Sequence, residues 1–190
     1  MEDDLFLISR FQAGDRAAFD RIMVIHMDRV YRIAWRVLHD RDDAMDATQE
    51  VFIRLHRALP TLGKVGNLQA WLCRVCLNHC FDRKRSPDTA VHTLSDEEWD
   101  TLRAEENAEP EWSAERSELA IEIRCAVDEL PRMQRAAFIL RYYEELSVGE
   151  IGQALGCKAG TVKCHLSRAT ASLRDKLRER IDYSPGRSEQ

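Results

Sequence analysis

Glycine and aromatic residues are scarce in this 190-residue chain, which has 8 glycines and 7% aromatic residues. Sheet proteins use glycine in their turns and favour aromatic side chains in their strands, so this scarcity argues against a β-rich protein. No run of about 18 apolar residues is present, which argues against a membrane-spanning helix. The N-terminal segment, MEDDLFLISR, is acidic and lacks the basic start and apolar run of a signal peptide. We therefore expect a cytoplasmic protein.

The six cysteines are expected to be thiols, because disulfides are rare in a reducing cytoplasm. Cys73, Cys76, His79 and Cys80 are ligand types that zinc accepts, and they lie at i, i+3, i+6 and i+7. A zinc site usually draws its ligands from two chain segments, whereas these four share one predicted helix. Buried cysteines acting as small apolar residues are the favoured interpretation, no metal is predicted, and a redox role stays open.

The net charge of −5 conceals an uneven distribution. Residues 86–114 hold nine acids and one base, a net charge of −8. Residues 158–180 hold seven bases and two acids, a net charge of +5. A basic segment beside an acidic one is typical of a nucleic-acid-binding chain, whatever the overall sign.

The segment Ser147 to Arg168, SVGEIGQALGCKAGTVKCHLSR, predicts a helix-turn-helix. Ser147 and Glu150 have the spacing of a capping box, and Gly156 can end the first helix in the left-handed conformation. A packed helical hairpin also has a glycine turn, but here the second helix has a polar, basic outer face that suits the DNA major groove. That face comprises Thr161, Lys163, Cys164, Ser167 and Arg168.

Apolar residues at helical spacing predict an all-α fold with two small domains. The first is a four-helix unit over residues 1–85, and the second, over residues 115–182, ends in the helix-turn-helix. Residues 86–114 are acidic, include two prolines and predict a flexible linker, and residues 183–190 predict a disordered tail.

Acidic residues gather where the third helix is predicted to begin, at Asp42, Asp43, Asp46 and Glu50. Acids are favourable near a helix N-terminus, and neither a nucleophile in a cleft nor a phosphate-binding glycine loop accompanies them. A face for a basic partner is therefore favoured over acid–base catalysis, and no catalytic residue is predicted.

Basic residues gather in the fourth predicted helix, at Arg74 and in the run 83–85. They are either a solvated face or, with Trp71 and Phe81 nearby, a contact surface for opened DNA. In such a surface the cations follow phosphates and the aromatic rings support bases.

Four motifs in this order resemble a group IV, or extracytoplasmic function (ECF), sigma factor of bacterial RNA polymerase over nearly the whole chain. Residues 43–52, DAMDATQEVF, follow the D-A-x-D-x-x-Q-E-x-F pattern of region 2.2. Residues 70–72, with Asn78 and residues 82–85, are similar to regions 2.3 and 2.4. Residues 130–147 resemble the start of region 4, and residues 150–169 resemble its DNA-reading half.

The resemblance implies a protein that directs core RNA polymerase to promoters and is not itself an enzyme. Docking on the clamp helices of the polymerase's largest subunit is implied for Asp43, Asp46, Gln49, Glu50 and Phe52. Binding of the −10 element and its melted strand is implied for Lys64, Asn67, Trp71, Arg74, Asn78, Arg83, Lys84 and Arg85. Reading of the double-stranded −35 element is implied for Thr161, Lys163, Cys164, His165, Ser167 and Arg168.

The resemblance also implies an anti-sigma factor that holds the protein inactive until a stress or environmental signal. Any membrane association would then be indirect, through that partner. Neither a cofactor nor a small-molecule substrate is implied.

Two departures from the family pattern bear on promoter choice. The loop before Trp71 reads LGKVGN in place of an aromatic-Arg-Gly-Asp run, so the −10 preference is expected to differ. Cys164-His165 stands where Ser-Arg is usual, which removes a hydroxyl and a fixed charge and predicts an altered −35 preference.

Two other functions remain as alternatives. A dimeric helix-turn-helix regulator would explain residues 147–168 but leaves the 43–52 motif without a purpose. A thiol redox or zinc enzyme would depend on Cys73, Cys76 and Cys80.

Overall fold

The structure, a computed structural model, describes residues 3–61, 67–84 and 118–182. Within these ranges the chain is helical and contains no strand, which confirms the predicted all-α fold class. The helices are α1 (Asp4–Gln12), α2 (Ala17–Leu38), α3 (Arg41–Ala58), α4 (Leu68–Lys84), α5 (Glu118–Asp128), α6 (Arg132–Phe138), α7 (Val148–Leu155) and α8 (Ala159–Asp182). A π-helical turn, Ile139–Tyr143, continues α6. The predicted linker and tail lie outside the described residues.

Side-chain caps fix where several helices begin. The Asp40 carboxylate accepts a hydrogen bond from the Asp43 backbone N–H (2.7 Å), so α3 begins at Arg41, whereas its apolar spacing predicts a start at about Ala44. The Asn67 side chain accepts one from the backbone N–H of Ala70 (2.9 Å) and so caps the start of α4. Each such cap stabilises its helix by about 0.5–2 kcal/mol relative to alanine.

The first unit is organised around α2, which packs against α1, α3 and α4. Its central side chains, among them Ile22, Ile33, Leu55 and Leu72, are fully buried. Burying one such side chain is worth about 1.5–3 kcal/mol, so this core is ample to hold four helices together.

The second unit has a smaller core of its own. Ala126, Leu130, Ala169 and Leu173 form a buried cluster in which α5 and the connection to α6 pack against α8. Helix α6 also packs against α8, and Phe138 at its end lies against this cluster.

One apolar core crosses between the two units. Ile139, Leu140 and Ile151 belong to the same buried cluster as the core of α2, α3 and α4. Helix α7 packs against α4. The sequence predicted the two units but not this contact between them.

Candidate nucleic-acid interface

The capping box at the start of α7 has the geometry that the sequence predicts. The Glu150 backbone N–H donates to Ser147 Oγ (3.3 Å), and the Ser147 backbone N–H donates to Glu150 Oε2 (2.9 Å). Hydrogen bonds from the Ser147 side chain and backbone lower the pKa of the Glu150 carboxyl, which therefore stays ionised at the positive end of the helix. Gly156 ends α7 with φ +66°, the predicted left-handed conformation.

A second glycine, Gly152, sets how closely the turn packs on α7. A Cβ placed on Gly152 would lie 2.8 Å from the backbone oxygen of Cys157. That distance is too short for any side chain, so the turn can approach α7 only over glycine. Gly152 was not identified from the sequence, because its role depends on the position of the turn and not on its own conformation.

Helix α8 separates a buried face from an exposed one. Val162 and Ala169 are buried, and Leu166 is half-buried against the core. Five of the six residues predicted to read duplex DNA are exposed and His165 is half-buried; the exposed ones are Thr161, Lys163, Cys164, Ser167 and Arg168. The structure therefore brings the predicted set together on one side of α8.

The residues predicted to bind opened DNA follow α4, but they are not equally accessible. Arg74 is exposed next to Gly156 of the helix-turn-helix, and Trp71 is half-buried against the core. Asn78 accepts a hydrogen bond from Arg132 Nη2 (3.0 Å), and Lys84 Nζ lies 3.7 Å from Asp128 Oδ2. Two other members of the set, Lys64 and Arg85, lie outside the described residues.

Phe81, the other aromatic residue considered for base contacts, is buried. The guanidinium groups of Arg132 and Arg135 lie over its ring, 5.1 Å and 5.7 Å from the centroid. In this arrangement the ring packs against the second unit and does not face solvent.

The acidic residues of α3 form an exposed strip, with one exception. Asp46 and Gln49 are exposed, and Asp43 and Glu50 are half-exposed. The exception is Phe52, whose exposed fraction is 4%, so it packs in the core and is not available to a partner. Its assignment to the docking set is corrected here: its role is to hold α3 in place.

Two apolar residues on the same strip were not identified from the sequence. Met45 and Ile53 lie four residues before and after Gln49, and 46% and 44% of their surfaces are exposed. Residues four apart share a helix face, so both belong with Gln49. The i, i+4, i+8 spacing was visible in the sequence, but nothing there showed that these apolar residues face outward.

Arg83 joins the basic end of α4 to the acidic start of α3. Its guanidinium contacts the Asp43 carboxylate and lies 3.9 Å from Asp46 Oδ2. A residue predicted for DNA thus contacts two predicted for the polymerase.

The cysteines of α4 are packed as apolar residues. Cys73, Cys76 and Cys80 are buried, and Cys76 Sγ donates to the backbone oxygen of Val30 (3.5 Å). Burial raises the pKa of the Cys73 thiol to about 12, so it is protonated and a poor nucleophile at neutral pH. In the described ranges, no group of three or more His, Cys, Asp or Glu side chains is placed to hold a metal. The burial of these cysteines and the raised pKa of Cys73 favour the packing interpretation.

The helices of the described ranges do not include one with the length and apolarity needed to cross a membrane.

The second unit contains a helix-turn-helix with a polar outer face, and the first unit carries one helix with a basic end and one with an acidic start. This combination is typical of a two-part, DNA-binding transcription protein.

Family models place the chain within that class. The model for sigma-70 region 2 matches residues 23–89, and the model for sigma-70 region 4 matches residues 120–173. The chain is 32% identical over 178 residues to the ECF RNA polymerase sigma factor SigW of Bacillus subtilis, covering 90% of this chain and 95% of that protein. The chain therefore belongs to the family of ECF RNA polymerase sigma factors.

Two further relatives agree. The chain is 31% identical over 178 residues to the RNA polymerase sigma-H factor of Pseudomonas aeruginosa, covering 90% of this chain and 92% of that protein. It is 38% identical over 167 residues to the ECF sigma factor SigE of Mycolicibacterium smegmatis, and the match covers 86% of this chain but 64% of that longer protein.

Solved structures show the same fold. CnrH, in a complex with the cytosolic domain of CnrY, superposes with a TM-score of 0.70 at 21% identity, over 93% of this chain and 97% of that one. The sigma factor RpoE of Bartonella quintana, in a complex with the anti-sigma factor NepR, superposes with a TM-score of 0.60 at 19% identity, over 84% and 96%.

Proposed function

We propose that the chain directs core RNA polymerase to a set of promoters by means of three separate helix faces. The α3 strip binds the clamp helices of the polymerase, the basic face of α4 binds the −10 element as it melts, and the outer face of α8 reads the −35 duplex. Polymerase itself makes the RNA, and this chain contributes positioning.

The observation that carries the proposal is the clustering of the predicted −35 set on one side of α8. A recognition helix needs its inner face for the core and its outer face for base edges and phosphates. Val162 and Ala169 are buried, while Lys163 and Arg168 are exposed. A dimeric regulator could use the same helix but would leave the exposed strip of α3 unexplained.

The α3 strip suits a basic, partly apolar partner. Asp46 and Gln49 provide polar contacts, and Met45 and Ile53 add apolar surface beside them. Charged groups guide such an encounter, while buried apolar contacts slow dissociation. We therefore add Met45 and Ile53 to the proposed docking set and remove Phe52 from it.

We also propose that an anti-sigma factor restrains the chain in the cytoplasm until a stress or environmental signal arrives. Support comes from two solved proteins of similar fold, since each was solved bound to a protein partner: CnrH to the cytosolic domain of CnrY, and the sigma factor RpoE to the anti-sigma factor NepR.

Transcription on a library of genomic fragments tests the proposal. Purified chain is added to bacterial core polymerase, and the 5′ ends of the transcripts are sequenced. We expect a defined set of start sites with shared −35 and −10 sequences, which core polymerase alone does not produce. Start sites identical to those of core polymerase alone would contradict the proposed function.

A further inference from the structure

A cavity of about 440 Å³ opens where the end of α2 meets the second unit. Its apolar wall combines Trp35 of α2, Ile123 and Val127 of α5, and Phe138 and Tyr143 from the end of α6 and the π turn. Small-molecule sites in proteins have volumes of about 300–1,000 Å³ and mostly apolar walls with a few polar groups. The cavity has the size and the lining of such a site.

Buried polar contacts hold the walls of this cavity in place. Glu144 follows the π turn, and its side chain has no exposed surface. It accepts hydrogen bonds from Arg29 Nε (3.2 Å) and Arg32 Nη2 (3.1 Å), both on α2. Arg135 of α6 donates to the backbone oxygen of Val37, in the last turn of α2, at 3.1 Å. Because the cavity is preformed, a ligand does not have to order its own binding site.

Aromatic rings make up one part of the wall. The ring centroids of Phe138 and Tyr142 lie 4.6 Å apart, and the ring of Tyr143 meets that of Phe138 edge-on at 6.0 Å. Tyr142 also lines the cavity, and 54% of its surface is exposed. A planar aromatic ligand gains from offset or edge-to-face contacts with such rings, in addition to the burial of its surface.

Two arginines at the same cavity favour an anionic ligand. Arg36 of α2 places its guanidinium over the Tyr143 ring, 3.8 Å from the centroid, and Arg124 of α5 also lines the cavity. The N–H groups of a guanidinium lie in its plane, so stacking on a ring leaves their edge available. A carboxylate matches that edge, because its two oxygens accept two parallel N–H groups.

The acidic residue at the cavity, Asp128, does not cancel this charge. Its carboxylate lies 2.8 Å from His39 Nε2 and 3.7 Å from Lys84 Nζ, and it also contacts Arg135. Lys84 and Arg135 do not line the cavity, so cations outside the cavity balance Asp128. The charge that remains belongs to the two arginines, which attract an anion and repel a cation.

We propose that this cavity binds a small aromatic anion, a planar ring compound that carries one carboxylate. The ring packs against the aromatic wall, and the carboxylate accepts hydrogen bonds from Arg36 and Arg124. Because the wall comes from both units, the ligand binds while the units are in contact and stabilises that contact against heat. The site goes beyond the function proposed above, since it contains none of the residues proposed for polymerase or DNA.

Isothermal titration calorimetry of the full chain with β-naphthoate tests the proposal, at about pH 7.5, where a carboxylate is ionised. We expect a single molecule to bind each chain with a Kd below about 1 mM, as the usual contribution of each non-hydrogen atom gives for a ligand of this size. The neutral isostere β-naphthamide should bind at least about tenfold more weakly, because charged groups make the stronger hydrogen bonds. Saturating β-naphthoate should also raise the melting temperature.

A substitution that fills the cavity locates the site. Ala120 of α5 lines the cavity and is half-buried, so the indole of Ala120→Trp takes up the space of the ligand. We expect this variant to bind β-naphthoate at least about tenfold more weakly, since a filled interior has no room for a further ring. The matched control is Ala17→Trp, at an exposed position at the other end of α2, which should bind like wild type.

A second substitution removes one of the two cations. Arg36→Gln should weaken β-naphthoate binding about tenfold and leave the binding of β-naphthamide unchanged. Arg174→Gln is the charge-matched control, because Arg174 is exposed on α8 and does not line the cavity. Circular dichroism verifies the helix content of every variant. Small-angle scattering verifies that each stays compact, with a radius of gyration of about 16 Å for a chain of this length.

Three results would overturn the inference: no binding of β-naphthoate by wild type below about 1 mM, equal affinity for β-naphthoate and β-naphthamide, or wild-type affinity in the cavity-filling variant. If Ala120→Trp does not fold, Thr170→Trp decides, because Thr170 is an exposed residue of α8 that lines the cavity. The transcription experiment described above contains no aromatic anion, so its result and the result of this titration are independent.

Discussion

The guanidinium of Arg83, in the last turn of α4, contacts the carboxylate of Asp43, in the first turn of α3. The pair joins the face proposed for the −10 element to the strip proposed for polymerase. A partner that binds the Asp43 carboxylate would break its ion pair with Arg83 and free the guanidinium for DNA. The pair therefore couples the proposed polymerase docking to the proposed DNA binding.

The pair itself should contribute little to stability. About a third of each side chain is exposed, and partly exposed ion pairs are worth about 0.2–1 kcal/mol. We therefore expect Asp43→Asn to lower the unfolding free energy in urea by no more than about 1 kcal/mol. A larger loss would show that Asp43 has a structural role beyond this pair.

Arg168→Ala should weaken binding to a cognate −35 duplex by about 1–3 kcal/mol if Arg168 reads a base edge. Arg174→Ala is the matched control, because Arg174 is also exposed on α8 but lies nearly two turns further along. Footprinting of the reconstituted polymerase provides the measurement. Unchanged −35 protection with Arg168→Ala would refute the assignment of this residue.

Ile53→Asp should weaken association with core polymerase without unfolding the protein. Ile53 is half-exposed beside Gln49, and a charge there costs nothing in the core but disrupts an apolar contact. Co-purification with core polymerase is the assay, and Leu5→Asp, at a similarly exposed position on α1, is the control. Equal recovery of both variants would remove Ile53 from the docking strip.

Phe52→Ala should behave in the opposite way, because the residue is buried. Truncating a buried phenylalanine costs about 3–5 kcal/mol, so we expect a lower urea midpoint in the free protein. Association with polymerase should be near normal for the molecules that stay folded. Wild-type stability with lost association would restore Phe52 to the docking set.

Glu145→Gly should stabilise the protein. Glu145 is exposed and has φ +57°, a left-handed conformation that disfavours a residue with a Cβ by about 1–2 kcal/mol. Glycine relieves this strain but has a more flexible unfolded state, so the expected net gain is below about 1 kcal/mol. Glu145→Ala removes the same side chain without relieving the backbone and should give no gain in the melting temperature.

Acidification should destabilise the contact between the units. Burial lowers the pKa of His39 below its ordinary 6.5, despite its hydrogen bond with Asp128. When the two units separate, His39 becomes exposed and takes up a proton at a higher pH than it does in the contact between them. The contact is therefore fully favoured above pH 6.5 and weakens as the pH falls below that value. Scattering between pH 7.5 and about 5.5 measures the effect, since a histidine titrates across this range.

His39→Asn is the variant that isolates this effect. His39 has φ +58°, and asparagine tolerates the left-handed conformation but does not titrate. Its scattering should vary less with pH than that of wild type. An equal response in both proteins would assign the titration to another group.

The helix-turn-helix could be predicted from the sequence because its signals are local. The Ser147–Glu150 capping box and the left-handed Gly156 each depend on a few neighbouring residues, and the structure has both. The start of α3 was predicted too late, because the Asp40 cap was not recognised.

Contacts between distant segments could not be predicted. Glu144 and Arg29 are 115 residues apart, and nothing near either residue indicates that they pair. The family motif placed Phe52 among docking residues, but a motif carries no information on which side of α3 a residue faces. The exposed fraction of each side chain in the structure shows which way it faces: Phe52 is buried, whereas 44% of Ile53 is exposed.

The division of α8 into an inner and an outer face has a consequence for how such a regulator diversifies. Val162 and Ala169 hold the helix, whereas Thr161, Lys163 and Arg168 project from it. Under the proposed function, point mutations at the projecting positions change which promoters are read, while the buried positions keep the helix in place. Duplicated copies of such a gene could then acquire distinct promoter sets through single substitutions, because folding and DNA reading depend on different faces of one helix.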